Sequence, residues 1–363
     1  MITARPEIET ISPYQGGKPI EEVQREFKLD DIIKLASNEN PLGPSPKAVA
    51  AMKKVVDQVN LYPDGNAYHL RRDLADHLGV GTDQIILGNG SNEILHIIGE
   101  TFVKPNDEII YSESAFVVYK LVAAICGAKS VVTPMEGYHQ DISAIISAIT
   151  SKTKIIFIAN PNNPTGTMVN VEQTEKLLAS VPEHVLVVFD EAYGEYIDRE
   201  DYPRTLPYIQ QGHNVLVSRT FSKIHGLAGL RIGYGVADNR LIGLMNRVRQ
   251  PFNCNLLAQV SARAALADTD YVLRSKQTNN EEKHHLYESL AKLKVDYVPS
   301  EGNFIMLNLS CSGEVIAQKL LERGIIVRPI TGYGFPNSVR LTIGTNEQNR
   351  RFIETLSDIL EIS

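Results

Sequence analysis

The chain has 363 residues, of which 43% are hydrophobic and 22% charged, and its formal net charge is −7. This length and composition predict a soluble globular protein of about two domains, and the acidic balance without a long basic patch argues against nucleic-acid binding. Three widely spaced cysteines, Cys126, Cys254 and Cys311, argue against a disulfide framework and a zinc site, so we expect a reducing compartment and no metal.

The N-terminal segment is predicted to be an arm over residues 1–30. It carries early acidic residues and no apolar core, and no apolar run in the chain approaches the ~20 residues that a membrane span needs. We therefore expect no signal peptide, no membrane contact and a cytoplasmic location. Pro19 precedes a short charged helix predicted over residues 20–27.

A polar loop rich in Asn and Pro follows at residues 35–44. It is either a simple connection or the lining of a cleft. In the second case the amide of Asn38 is a candidate for ligand binding.

Seven strand-like runs then alternate with helical segments, at residues 84–87, 108–112, 130–133, 154–159, 185–189, 214–218 and 231–236. This alternation predicts an α/β fold in which a mostly parallel seven-stranded sheet is sandwiched by helices, in a large domain over residues 31–255. Long helices, the first over 256–273, and three further strand-like runs predict a smaller α+β C-terminal domain over 256–363. Binding residues are expected at the carboxyl ends of the parallel strands.

Lys223 is the residue that indicates chemistry most directly. It follows the apolar run 215–217 and a polar turn containing Thr220 and Ser222, and Arg231 lies eight residues further on. Burial beside a strand destabilises the charged form of a lysine, so that its neutral amine can act as a nucleophile. Hydroxyls and an arginine can hold a phosphate. A reactive lysine beside a phosphate site is what pyridoxal 5′-phosphate requires. The alternative is a surface lysine in a Ser/Thr-rich loop.

Two further loops offer donors for the same ligand. Ser91 and Asn92 follow a glycine turn at a predicted helix start, which can bind an anion. The turn matches neither a dinucleotide-binding nor a Walker A loop, which disfavours a nucleotide enzyme. Asn163 lies in a loop made rigid by two prolines, and the alternative interpretation of this loop is a structural turn.

Asp190 ends a strongly apolar strand, where an unpaired carboxylate is costly. It can pair with a protonated pyridine nitrogen, and Tyr193 and Asn163 can donate to the ring 3-oxygen. Alternatively, Asp190 caps the following helix. A single cofactor accounts for all of these residues.

The motifs NPNNPTG (160–166), DEAY (190–193), SRTFSK (218–223) and GLR (229–231) resemble, in this order, those of the fold-type I pyridoxal-phosphate-dependent aminotransferases, over nearly the whole chain. Within this family, in its class II subgroup, the closest resemblance is to the histidinol-phosphate aminotransferases. It is carried by residues 13–19, 35–41, 62–65 and 339–345.

The resemblance implies further roles. Phe116 falls where the family stacks an aromatic ring on the cofactor. Tyr62 falls where a tyrosine reaches the phosphate of the partner subunit's cofactor, which implies a homodimer with shared active sites and an arm that packs with the small domain or the partner. Arg340 matches an arginine that binds a substrate carboxylate, and Tyr14 and Arg328 are candidates, with Asn38, for the rest of the substrate site.

The implied reaction is transamination between histidinol phosphate and 2-oxoglutarate, giving imidazole acetol phosphate and glutamate, in histidine biosynthesis. Lys223 would carry a proton between the substrate α-carbon and the cofactor. Three alternatives remain open. They are a broad aromatic aminotransferase, an amino-acid phosphate decarboxylase of the same fold, and a cofactor-binding transcription regulator, which would need an added DNA-binding domain.

Overall fold

The computed structural model describes residues 2–9, 11, 13 and 16–361. The described helices are α1 (Pro6–Glu9), α2 (Ile20–Phe27), α3 (Pro46–Lys53), α4 (Tyr68–Leu78), α5 (Ser91–Phe102), α6 (Val118–Ile125), α7 (Ile142–Ser147), α8 (Val171–Ser180), α9 (Leu206–Gln210), α10 (Asn239–Met245), α11 (Leu256–Leu266), α12 (Thr269–Lys292), α13 (Gly313–Leu321) and α14 (Asn346–Glu361).

The described strands are β1 (Ile33–Lys34), β2 (Ile85–Gly88), β3 (Glu108–Ser112), β4 (Lys129–Thr133), β5 (Met135–Glu136), β6 (His139–Gln140), β7 (Thr153–Ala159), β8 (Leu186–Asp190), β9 (Val215–Thr220), β10 (Gly233–Ala237), β11 (Asp296–Val298), β12 (Phe304–Asn308), β13 (Ile325–Ile326), β14 (Arg328–Pro329) and β15 (Ser338–Thr342).

The larger sheet has seven strands in the order β2-β10-β9-β8-β7-β3-β4. Strand β10 is antiparallel to both of its neighbours, and the other neighbouring strands pair in parallel. The predicted α/β fold with a mostly parallel seven-stranded sheet is therefore confirmed.

The central strands of this sheet are mostly apolar because helices cover both faces. In β8, Val187 and Phe189 pack into the core on one face, whereas Leu186 and Val188 pack into the core on the other face. The apolar pattern ends at Asp190, at the carboxyl end of the strand, where the sheet opens to a cavity.

The smaller sheet has four antiparallel strands in the order β11-β12-β15-β14. Its core includes Leu307, Leu341 and Phe352, the last of which comes from α14. Strand β11 was not predicted, because three residues are too short a run to show an alternating pattern. A short parallel pair, β1 with β13, brings residues 33–34 beside this unit.

The long helix predicted over residues 256–273 is in fact two helices, α11 and α12. Asp268 lies between them, accepts a hydrogen bond from Oγ of Ser45 at 2.5 Å and pairs with Lys47 at 2.9 Å. Because these partners are distant in sequence, local pattern does not reveal the break. Helix α11 contributes Ala258 and Ala262 to the core of the larger sheet, so the division at residue 255 stays a prediction.

The described part of the arm contacts both units. Val23 of α2 packs with Leu321 and Ile326, and Nη2 of Arg5 donates to the carbonyl of Ile125 at 2.7 Å. The boundary after residue 30 stays a prediction. None of the described helices is long and apolar enough to cross a membrane.

Candidate active site

A cavity of about 200 Å³ lies at the carboxyl ends of β7, β8 and β9. Thirteen of the predicted site residues line it: Asn38, Ser91, Asn92, Phe116, Asn163, Asp190, Tyr193, Thr220, Ser222, Lys223, Arg231, Arg328 and Arg340. Of the other two, Tyr62 does not line this cavity, and Tyr14 lies outside the described residues. Strand ends far apart in sequence therefore bring these groups together.

Lys223 lies three residues beyond the end of β9, with its amine in the cavity. Nζ donates to the carbonyl of Ser37 at 3.0 Å and lies 5.6 Å from the centroid of the Tyr193 ring. Burial, reinforced by the positive charge of Arg340, lowers the pKa of Lys223 to about 7. A substantial fraction of the amine is thus unprotonated near neutral pH, as a nucleophile or base requires.

Asp190 is buried at the end of β8 and is held by Tyr119. The Tyr119 hydroxyl donates to Oδ2 at 3.0 Å, while Oδ1 is buried without a hydrogen-bond partner. Burial raises the pKa of Asp190 to about 6, and the bond from Tyr119 opposes this rise. A buried carboxylate oxygen without a donor is suited to a ligand that brings one, such as a protonated ring nitrogen.

Tyr193 follows Asp190 by three residues and is also buried. Its oxygen accepts from Nδ2 of Asn38 at 2.9 Å, and its ring packs edge-on against Phe304. Burial raises the pKa of Tyr193 to about 12. The phenol therefore stays protonated near neutral pH and is available as a hydrogen-bond donor.

Asn163 and Arg340 are in direct contact across the cavity. Nη1 of Arg340 lies 2.5 Å from Oδ1 of Asn163, and Nη2 donates to the carbonyl of Ala36 at 2.7 Å. Because a guanidinium only donates, the amide oxygen must face Arg340. The amide nitrogen of Asn163 is then the group that can donate to a ligand.

One end of the cavity combines a helix N-terminus with an arginine. Ser91 and Asn92 begin α5, and a Cβ on Gly90, whose φ is 82°, would collide with Nη2 of Arg231. Nη1 of Arg231 donates to Oγ of Ser222 at 3.3 Å. The free N–H groups of the helix start, the hydroxyl and the guanidinium together suit a phosphate.

The strands beside this end differ from the prediction. Strand β9 continues to Thr220, two residues beyond the expected end, and Oγ1 of Thr220 accepts from the backbone N–H of Ser222 at 3.1 Å. Strand β10 begins at Gly233 rather than at Arg231, because Arg231 has a left-handed backbone with φ of 57°. This turn brings the Arg231 side chain to Gly90.

Two further arginines line the same cavity. Arg328 in β14 and Arg340 in β15 are direct cross-strand partners in the smaller sheet. Both line the cavity, where Asp190 is the acidic residue among the described lining groups. The described lining therefore combines three guanidiniums with one carboxyl group and favours anionic ligands.

Tyr62 lies on the surface, with 82% of its area exposed. Its ring stacks on Phe252 with centroids 4.7 Å apart. A contact between Tyr62 and a cofactor would need a second copy of the chain, so its predicted role stays a prediction.

Tyr119, Tyr333 and Thr342 were not predicted from the sequence. Tyr119 and Tyr333 line the cavity, and Thr342 bonds to Asn38 behind it. Tyr119 lies three residues after Phe116, the spacing that places two side chains on one side of a helical turn. This spacing could have identified Tyr119 from the sequence. Nothing in the local sequence marks Tyr333.

The described residues fit pyridoxal 5′-phosphate. Lys223 offers an amine of depressed pKa for the aldehyde, and Oδ1 of Asp190 lacks the donor that a ring N–H would supply. Tyr193 and the Asn163 amide can donate to the ring oxygen, and the α5 terminus with Arg231 can hold the phosphate. The edge-on pair of Phe116 and Tyr119, with ring centroids 6.0 Å apart, supplies the aromatic wall.

The comparisons agree with this chemistry. Residues 30–356 match the family model of class I and II aminotransferases. A histidinol-phosphate aminotransferase from Moorella thermoacetica is 48% identical over 357 residues, which cover 98% of this chain and 92% of the relative. Histidinol-phosphate aminotransferase 1 from Nitrosococcus oceani is 47% identical over 354 residues, which cover 98% of this chain and 96% of the relative.

Among solved structures, the histidinol-phosphate aminotransferase from Sinorhizobium meliloti in complex with pyridoxal-5′-phosphate has the same fold. It superposes with a TM-score of 0.90 at 24% identity, covering 98% of this chain and 97% of that one. The resemblance identified in the motifs is thus confirmed at the level of fold and family. The chain belongs to the family of class I and II aminotransferases.

Proposed function

We propose that this enzyme uses pyridoxal 5′-phosphate to transfer the amino group between histidinol phosphate and 2-oxoglutarate, in histidine biosynthesis. One observation supports it most. The same cavity contains Lys223, whose pKa is about 7, and a carboxylate oxygen of Asp190 that has no hydrogen-bond partner. The names of relatives that align over nearly the full length support the substrate.

The cofactor, when bound, supplies an electron sink that stabilises negative charge at the substrate α-carbon. Asp190 keeps the ring nitrogen protonated, which maintains this property. Tyr193 and Asn163 would donate to the ring oxygen and Phe116 would pack on the ring. The phosphate would be held by Ser91, Asn92, Thr220, Ser222 and Arg231.

Lys223 acts as the proton carrier. When the cofactor is bound, the Lys223 amine would accept the proton from the substrate α-carbon at Nζ and would then release it again. The depressed pKa makes both steps accessible near neutral pH. The carbonyl of Ser37, 3.0 Å from Nζ, holds the amine in the cavity between these steps.

Arg340 and Arg328 form the substrate anion site. Histidinol phosphate carries a phosphate ester, and 2-oxoglutarate carries carboxylates, so the same site must accept both in alternate half reactions. Two guanidiniums on adjacent strands can bind either group bidentately. Asn38 and Tyr14 are the other candidates for substrate contact.

The enzyme acts as a homodimer in the cytoplasm under this proposal. Tyr62, Leu61, Tyr68 and Phe252 are exposed apolar or aromatic side chains, and such side chains are characteristic of subunit interfaces. A second copy seated on this surface would bring Tyr62 to the partner's cofactor phosphate.

A single-turnover absorbance assay tests the proposal. Protein loaded with pyridoxal 5′-phosphate is mixed separately with histidinol phosphate, glutamate, phenylalanine and tyrosine. We expect rapid conversion to the pyridoxamine form with histidinol phosphate and glutamate, and much slower conversion with the aromatic amino acids.

The other outcomes of this assay discriminate among the alternatives. Aromatic amino acids as fast as histidinol phosphate would indicate a broad aromatic aminotransferase, and release of carbon dioxide would indicate a decarboxylase. Protein that binds no cofactor would contradict the role of Lys223.

A further inference from the structure

A chain of hydrogen bonds leads from the smaller sheet to the cavity. Oγ1 of Thr342, at the end of β15, donates to Oδ1 of Asn38 at 3.1 Å and accepts from the Asn38 backbone N–H at 2.9 Å. Nδ2 of Asn38 in turn donates to the Tyr193 oxygen at 2.9 Å. Thr342 does not line the cavity, whereas Asn38 and Tyr193 do.

The two ends of the Asn38 amide set the order of donors and acceptors in this chain. Oδ1 lies on the Thr342 side and accepts the hydroxyl hydrogen, while Nδ2 lies on the Tyr193 side and can only donate. The Thr342 hydroxyl supports this orientation, because its oxygen also accepts from the Asn38 backbone N–H and its hydrogen then has Oδ1 as its acceptor. If the amide were reversed, its oxygen would accept the phenol hydrogen of Tyr193.

The consequence for Tyr193 concerns the direction of its hydrogen. Because the phenol oxygen accepts from Nδ2, the phenol hydrogen cannot point at Asn38 and needs another acceptor. The cofactor ring oxygen, on the cavity side, is the acceptor that the proposed function supplies.

The surroundings hold Asn38 rigidly in this position. Its backbone is left-handed, with φ of 55°, and its carbonyl accepts from Nδ2 of Asn303 at 3.0 Å. Asn38 and Thr342 are almost fully buried. A non-glycine residue with this backbone costs energy and persists where surrounding contacts determine it.

We propose that Asn38 and Thr342 are positioning residues, which fix the amide of Asn38 so that the Tyr193 hydroxyl donates to the cofactor ring oxygen. The inference rests on the proposed function and assigns Asn38 a role that acts through Tyr193, in addition to the proposed contact with the substrate. Arg340 and Thr342 lie two residues apart in β15, on the same face of the strand. The strand that binds the substrate anion therefore also orients the donor to the cofactor.

The test replaces Thr342 with Val, which keeps the shape and removes the hydroxyl, and with Ser, which restores it. The readout is the pH midpoint of the absorbance change of the bound cofactor. Loss of a donor to the ring oxygen makes that oxygen harder to keep ionised, so T342V should raise the midpoint by about 0.5–1 unit and weaken cofactor binding by roughly 3- to 10-fold. T342S should match the wild type.

The variant Tyr193→Phe distinguishes positioning from a general effect on structure. If Thr342 acts through Tyr193, the double variant T342V/Y193F should have the midpoint of Y193F alone. A T342V midpoint equal to that of the wild type, or an equal shift in both backgrounds, would overturn the proposal. A wild type without a cofactor absorbance band would instead overturn the proposed function.

If T342V does not fold, Asn38→Asp provides a second test with the same readout, the pH midpoint of the cofactor absorbance. It replaces the donor facing Tyr193 with an acceptor, so Y193F should abolish most of the midpoint shift that N38D causes. A shift that is unchanged by Y193F would reflect the added charge alone and would contradict the proposal.

Discussion

The Tyr119 hydroxyl donates to Oδ2 of Asp190 across 3.0 Å, while Oδ1 of the same carboxylate has no partner. The Tyr119 ring is fully buried and stacks on Phe157 with centroids 4.5 Å apart, so the donor is held rigidly. One oxygen of Asp190 is thereby occupied by the protein, and the other is left for a ligand. This arrangement also opposes the rise in the pKa of Asp190 that burial causes.

We expect Tyr119→Phe to weaken cofactor binding about 10-fold, the usual cost of a hydrogen bond to a charged group. Without the hydroxyl, the pKa of Asp190 rises further above 6, so the carboxyl is neutral over a wider range and pairs less with a protonated ring nitrogen. The loss should therefore be larger at about pH 6.5 than at about pH 8.5. Fluorescence titration of the apoenzyme with pyridoxal 5′-phosphate at both pH values measures it.

Tyr111→Phe is the matched control for this variant. The Tyr111 ring lies 6.2 Å from that of Tyr119, and Tyr111 is not among the residues that line the cavity. Removal of the Tyr111 hydroxyl should leave the affinity for the cofactor unchanged. Wild-type affinity of Tyr119→Phe at the lower pH would show that the bond to Asp190 has no role in cofactor binding.

The depressed pKa of Lys223 makes a prediction about the rate of cofactor binding. The neutral amine is the reactive form, and it predominates above a pKa of about 7. The association rate of pyridoxal 5′-phosphate with the apoenzyme should therefore rise as pH rises, with a midpoint near that value. Stopped-flow absorbance across this range measures the rate.

Pyridoxamine 5′-phosphate is the control ligand for this experiment. It carries the same phosphate but no aldehyde, so its association should not follow the ionisation of Lys223. A midpoint near the ordinary lysine value of about 10.4 would mean that burial does not shift the amine.

The sequence predicted the parts of the site that depend on strand ends. Apolar runs that stop at a polar residue located Asp190 and Lys223, because a parallel sheet buried on both faces requires such runs. The contacts of Asn38 with Thr342 and of Tyr119 with Asp190 join residues 304 and 71 positions apart. Such bonds depend on how the units pack. The short helix of Tyr119 is apolar apart from Lys120 and resembles a core element.

The same distinction explains the errors in secondary structure. The break between α11 and α12 depends on the contacts of Asp268 with Ser45 and Lys47, which come from another part of the chain. The left-handed backbone of Arg231 brings its side chain against Gly90, which also comes from another part of the chain. Neither contact leaves a pattern in the residues around it.

Arg340→Ala should impair both half reactions, lowering kcat/KM for histidinol phosphate and for 2-oxoglutarate by roughly 100-fold each, a loss of about 2.7 kcal/mol. The change removes the guanidinium from the anion site and leaves Oδ1 of Asn163 without its donor. Arg328→Ala should mainly raise KM, because it removes a second cation from the cavity lining and leaves the bond between Arg340 and Asn163 in place. Single-turnover kinetics of each half reaction measures both variants.

Arg323→Ala is the control for these substitutions. Its side chain is exposed and donates to the carbonyl of Lys319, away from the cavity. Its rates should equal those of the wild type. If Arg340→Ala slows only one half reaction, the two substrates use different anion sites and the shared-site hypothesis is wrong.

Tyr62 allows a test of the proposed shared active site through mixed dimers. Because Tyr62 is 82% exposed, Tyr62→Ala should fold normally and yet lower activity by roughly 10-fold or more, through loss of a bond to the partner's cofactor phosphate.

Lys223→Ala should be inactive by itself. If the site is shared, one of the two sites in a mixed dimer carries both changes and the other carries neither. Refolding the two variants together should therefore restore activity above that of either one, at up to about a quarter of the wild-type level when subunits pair at random. Activity no higher than the average of the separate variants would mean that Tyr62 serves the site of its own subunit, and a monomeric wild type in solution would remove the basis for its role.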